Sequence, residues 1–167
     1  MEDNRKLWGA ALLRKILWTA IVLATFAVPA TVPRDAEASY TCVQYARSFS
    51  GIEIYGDAWT WWHQKKTGYK RGQTPTDGAV LVFKRSGKMI FGHVGVVVHQ
   101  VSDRDILINH ANWALPGERK GQIRESHLVR DVSKAGDWSA VRVWYPDRQA
   151  FGRVYPTYGF IYPSRRV

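Results

Sequence analysis

Hydrophobic and polar positions divide the chain into three stretches of different period. From Ile16 to Pro33 the run ILWTAIVLATFAVPATVP carries no charge and no alternation. From Ser39 to Gly68 apolar residues recur every three or four positions, the spacing of helices. The segment Cys42-Val-Gln-Tyr-Ala-Arg-Ser-Phe49 sets Val43, Ala46 and Phe49 on one face, and Gly51 ends it, so Cys42 stands at a helix N-terminus. A second helix is predicted from an Asp57 cap through Ala58 to Lys66, stopped by Gly68, with Trp59 and Trp62 turned inward.

Beyond Thr74-Pro75-Thr76-Asp77-Gly78, a turn signal, the period becomes that of strands. Residues 79–84 form an apolar run suited to a central strand, and 92–101 and 105–113 read as an antiparallel hairpin across Ser102-Asp103-Arg104. Residues 138–145 alternate, and 159–162 supply a short strand that closes the sheet. Residues 114–136, with Pro116, three glycines and many charges, read as a long irregular excursion. The class is α+β, with N-terminal helices packed on an antiparallel β-sheet.

The uncharged run changes the picture of where the protein works. Arg5, Lys6, Arg14 and Lys15 precede it, Pro29 and Pro33 shorten it below the about 20 residues of a membrane-spanning helix, and Val28-Pro29-Ala30 and Ala36-Glu37-Ala38 are small-x-small sites. Residues 1–38 are therefore a signal peptide or an N-terminal anchor, 39–163 one folded domain, and 164–167 a tail. The expected location is periplasmic or secreted, with association to the inner membrane through residues 16–33 if the segment is retained. Net charge is +10, and only five basic and four acidic side chains fall in residues 1–38, so the excess belongs to the folded part. It suits an anionic partner such as a carboxylate-rich cell wall. The basic residues are scattered singly and no nucleic-acid motif accompanies them, so nucleic acid is not an expected partner.

Cys42 is the only cysteine, so in an oxidising compartment no internal disulfide can form. At a helix start a thiol meets unpaired N–H groups and the positive end of the helix dipole, which favour the thiolate and an oxyanion. A cysteine enzyme also needs an imidazole. His63 lies among Gln and Lys, and His127 in the excursion, so both read as surface residues. His93, His99 and His110 lie on the hairpin with Asn112, all on one face if Asp103 and Arg104 form a two-residue turn. His99 is about 20 Å along the strand from His93, too far to share its site. His93, His110 and Asn112 gather at one end, but the ideal register sets His93 opposite Ala114 and His110 about 13 Å away along the strand. A different turn, or a bulge near Gly92 or Gly95, would change this, and the third member stays open between His110 and Asn112. Cys42, His93 and His110 contain no short ligand pair of the kind zinc sites use, so neither metal nor cofactor is expected.

Four ordered blocks resemble the CHAP domains, the cysteine, histidine-dependent amidohydrolases and peptidases of the papain-like wall-hydrolase group. They are Cys42-Val-Gln-Tyr-Ala-Arg47, Pro75-x-x-Gly78-Ala-Val-Leu-Val-Phe83, Gly92-His93-Val-Gly-Val-Val-Val98 and His110-Ala-Asn112-Trp113. The resemblance implies a papain-like fold, Cys42 as nucleophile and His93 as base. His110, standing where the family often has Glu or Asn, becomes the orienting residue ahead of Asn112. Many relatives carry a polar amide before the cysteine where this chain has Tyr40-Thr41, which leaves the Cys42 N–H, Tyr40 and Thr41 as oxyanion or supporting groups. Trp113 and Trp59 are candidate substrate-stacking residues, with core packing the plainer role for Trp59. The expected activity is hydrolysis of amide bonds in peptidoglycan or its stem peptides. The alternatives are an amidase acting on a non-wall peptide conjugate and a non-catalytic wall-binding module.

Overall fold

The computed structural model describes residues 39–115 and 118–164. Residues 1–38, on which the leader or anchor falls, lie outside the described residues. Helix α1 spans Cys42–Ser50. The strands are β1 (Arg71–Gly72), β2 (Val80–Phe83), β3 (His93–Gln100), β4 (Asp105–Ala111), β5 (Ile123–Asp131), β6 (Ala140–Tyr145) and β7 (Ala150–Ile161). All their pairings are antiparallel, in the order β1-β7-β2-β3-β4-β5-β6, and β6 also pairs with β7. The sheet thereby closes into a barrel. Strand β7 makes the closure, pairing with β6 through residues 150–156 and with β2 through residues 157–161.

Local chemistry sets the start of α1. The Thr41 hydroxyl accepts from the Gln44 N–H and the Gln44 side chain accepts from the Thr41 N–H, a reciprocal cap, while Gly51 at φ 71° ends the helix. The inward face is Cys42, Tyr45 and Ala46 rather than the predicted Val43, Ala46 and Phe49, since Phe49 is half exposed and stacks on Tyr45. Cys42 and Ala46 share a buried cluster with Val80, Val82, Val94 and Val96. Leu81, Phe83 and Val97, on the other face of the same strands, belong to a second cluster with Ile108, Trp138 and Phe160. Burial on both faces explains why residues 80–83 run apolar without alternation.

Several expectations change. The second helix is a pair of 3-10 turns, Ala58–His63 and Lys65–Thr67, and Asp57 makes no side-chain cap. With three residues per turn the inward pair is Ala58 and Trp61, while Trp59 and Trp62 are only half buried. The excursion at 114–136 contains β5, and the closing strand is twelve residues long. In place of helices packed on an antiparallel sheet, the described residues form one α-helix, short 3-10 turns and an antiparallel β barrel.

The hairpin departs from the ideal register twice. The Val101 N–H donates to the Asp105 carbonyl at 2.9 Å, so the loop holds three residues, Ser102 to Arg104. A bulge then falls between Val97 and His99, with Val97 opposite Ile108 and His99 opposite Leu107. Each step shifts the pairing by one residue. Together they move β4 two residues relative to β3, and continuing the register from Val97–Ile108 sets Gly95 opposite His110. The extra residue also turns His99 away from the face of His93, and His99 is exposed.

Candidate active site

The thiol and the first imidazole reach one cleft from different elements. Cys42 opens α1, and His93 opens β3 just after Gly92, whose φ is 66°. A Cβ on Gly92 would sit 2.8 Å from both the Phe83 carbonyl oxygen and the Trp59 N, so only glycine lets the chain turn here into β3. Cys42 and His93 both line a cleft of about 590 Å³, together with Thr41, Asn112 and Trp113. Its rim carries Lys88, Lys120 and Arg153, and the exposed Ile90 and Phe91.

Burial pushes the Cys42 thiol above its ordinary pKa, opposed by hydrogen bonds from the backbone N–H groups of Val94, Val43 and Cys42. Desolvation also holds His93 down at about 3, with the nearby His127 adding to the effect. The resting pair is therefore a neutral thiol and a neutral imidazole. The expected thiolate of a helix N-terminus is outweighed by burial against the sheet.

His93 does not stand alone. Its Nε2 lies 2.8 Å from His110 Nδ1, His110 Nε2 lies 2.9 Å from His127 Nδ1, and His127 Nε2 lies 2.6 Å from the Trp144 carbonyl oxygen. The register explains the first contact. With Gly95 opposite His110, His93 is a diagonal neighbour across the strands, and diagonal positions about 7–8 Å apart are within reach of two imidazoles. Glycine at 95 leaves room for the Ile108 side chain beside His110, since a Cβ there would lie 2.6 Å from Ile108 Cδ1. The second contact depends on another bulge. Ile108 pairs with His127 but His110 with Arg124, and Ser126, at φ 51°, absorbs the extra residue while its N–H donates to Asn109 Oδ1 at 2.7 Å.

Of the two residues considered for orienting His93, His110 is the one hydrogen-bonded to it. Asn112, at φ 64°, accepts instead from the Gly121 N–H at 3.0 Å, and the Gly121 carbonyl in turn receives the Tyr40 N–H at 3.1 Å. Asn112 and Tyr40 therefore hold one loop beside the start of α1. Thr41 spends its hydroxyl on the helix cap. Trp113 is nearly buried with its ring edge-on to His93 at 4.9 Å, forming a wall of the cleft, whereas Trp59 is not among the cleft's lining and packs on His63 and Arg85.

His127 corrects the surface reading made from the sequence. It lies on β5, 6% exposed, and completes the row of imidazoles. The signal was the alternation His127, Val129, Asp131, all three buried. It was obscured because two of those three inward residues are polar and Arg and Glu flank them.

With a thiol at a helix start sharing a cleft with an imidazole that a buried second imidazole hydrogen-bonds, the comparison with known families becomes specific. Residues 34–112 match the CHAP domain family. The CHAP match contains Cys42, His93, His110 and Asn112 and stops there, so β5, β6 and β7, and with them His127 and Trp144, lie beyond it. Among solved structures, an N-acetylmuramoyl-L-alanine amidase from Staphylococcus aureus is 21% identical, with a TM-score of 0.42 over 70% of this chain and 30% of that one. The chain thus spans less than a third of that protein. No curated protein matches the sequence.

Proposed function

We propose that the protein is a cysteine hydrolase of the papain-like kind that cleaves amide bonds in peptidoglycan or its stem peptides, outside the cytoplasm. The observation that carries the reading is the thiol at the first position of α1 in the same cleft as an imidazole whose second nitrogen is held by His110. The CHAP match supports it, since the family takes its name from this pair.

In the proposed reaction the Cys42 S–H proton passes to His93 as sulfur attacks the amide carbonyl, so the resting neutral pair becomes charged only on the way to the tetrahedral intermediate. The N–H groups of Cys42, Val43 and Val94 are disposed to receive developing negative charge at this corner. His93 returns the proton to the departing amine. Water then releases the acyl group by the same route. Lys88, Lys120 and Arg153 on the rim favour a substrate bearing carboxylates, as stem peptides do.

Digestion of purified peptidoglycan, read by mass spectrometry, tests the reading. New amine and carboxyl termini are expected with the wild type and none with Cys42→Ala. Absence of products from both, with the Cys42 thiol intact, would transfer the reading to a non-wall amide or to a binding module. Export through residues 1–38 is part of the proposal, and the mass of the mature protein reports on it: a chain still beginning at Met1 excludes a cleaved leader.

A further inference from the structure

We propose that His127, acting through His110 and anchored on the Trp144 carbonyl, is a positioning residue that fixes which nitrogen of His93 is free to take the thiol proton. The inference rests on the proposed role of His93 and extends it beyond the CHAP match.

The argument begins at the far end of the row. A backbone carbonyl can only accept, so His127 Nε2, 2.6 Å from the Trp144 oxygen, must carry a hydrogen and donate. A neutral imidazole has one N–H, so His127 Nδ1 is a bare acceptor. His110 Nε2 must then donate to it, which leaves His110 Nδ1 bare. His93 Nε2 must in turn donate to His110, which leaves a lone pair on His93 Nδ1. One carbonyl thus dictates three tautomers.

The premise of neutrality follows from the surroundings. His93, His110 and His127 are 4%, 0% and 6% exposed, and burial lowers the pKa of each. The row is walled by Phe83 and Trp113 near His93. Around its far end stand Arg124 and Glu118, which pair with each other. The other nitrogen of His93 makes no hydrogen bond among the described residues, and His93 lines the cleft with Cys42. The Trp144 carbonyl is available to a side chain because the β5–β6 ladder runs only from Asp131–Val141 to Val129–Val143.

This arrangement asks different things of different substitutions. His127→Gln offers an amide oxygen to His110 and an amide N–H to Trp144, so it preserves the direction of the row. His127→Leu offers neither, and frees His110 and His93 to adopt the opposite tautomers. On soluble peptidoglycan fragments His127→Gln is expected to keep kcat within about threefold of the wild type. His127→Leu is expected to lose kcat by about tenfold or more with KM little changed, short of the roughly 10⁴-fold that a wrong tautomer costs a serine triad.

Nitrogen-15 spectra of histidine-labelled protein above neutral pH supply a reading that needs no substrate. His93, assigned by its absence in His93→Gln, is expected to carry its hydrogen on Nε2 in the wild type and in His127→Gln. A hydrogen on His93 Nδ1 in the wild type overturns the proposal, as does a His127→Gln protein that is folded but has lost the Nε2–H form. If wild-type protein cleaves no wall fragments, the spectra still decide the tautomer row, so its failure and that of the peptidoglycan reading are told apart.

Discussion

At Cys42 two influences act on one proton. The N-terminus of α1 and three backbone N–H groups favour the thiolate, while removal from water disfavours it and is the larger. Burial raises the thiol pKa above its ordinary 9.0, so the thiolate fraction grows as pH rises toward and past that value. Alkylation of Cys42 by iodoacetamide is therefore expected to accelerate by about tenfold per pH unit through the neutral and mildly alkaline range, following the thiolate. A rate already level between about pH 5 and pH 8 would reveal a preformed thiolate–imidazolium pair and sink the neutral-pair account. At this scale Cys42 was readable in the sequence because a helix start is a local signal. The charge state was not, because it depends on the valines of β2 and β3 packed against the helix.

Strand registers decide which imidazoles meet. The bulge at Ser126 carries His127 to its place beside His110, and Asn109 holds that bulge by accepting the Ser126 N–H with a side chain that is 7% exposed. Asn109→Ala removes this partner from the N–H of exposed Ser126, and a hydrogen bond of this kind contributes about 0.5–1.5 kcal/mol. A fall of that size in urea-unfolding free energy is expected, together with a weakened His127 effect on turnover. Unchanged stability would show that the bulge does not need the Asn109 side chain. The hairpin itself was legible from Gly92 to Trp113, but its register was not. A three-residue loop and a bulge each displace the pairing by one, and neither leaves a residue-type signature as clear as an Asn-Gly turn. In β7, Gly152, Pro156 and Gly159 interrupt the pattern, and only its last residues read as a strand.

Across the whole molecule three imidazoles are stored uncharged inside a protein of high positive charge. Each has a native pKa below its ordinary 6.5, so the unfolded chain binds more protons than the folded one once pH drops below that value. Stability from this source is full above about pH 6.5 and is lost as pH falls toward the native values, His93 being held at about 3. The slope reaches about 1.4 kcal/mol per pH unit for each histidine that stays neutral. The urea midpoint is expected to fall clearly between about pH 8 and pH 5, a window above the range in which most carboxylates titrate. Equal midpoints at the two ends would exclude neutral burial of the row. The order of elements was largely legible, with a helix carrying the cysteine ahead of antiparallel strands. Closure was legible only in the short strand at 159–162; that β7 begins at Ala150 and joins β6 to β2 was not, because it depends on pairing far back along the chain.

That closure also has a consequence in time. Leu81 pairs with Phe160, nearly eighty residues later, and contacts so distant in sequence form slowly and late. During synthesis the stretch holding Cys42, His93, His110 and His127 emerges well before β7 does. The barrel has no seam to close until residue 161 has been made, so a half-made chain holds the whole row of reactive groups without the wall that shapes them into a site.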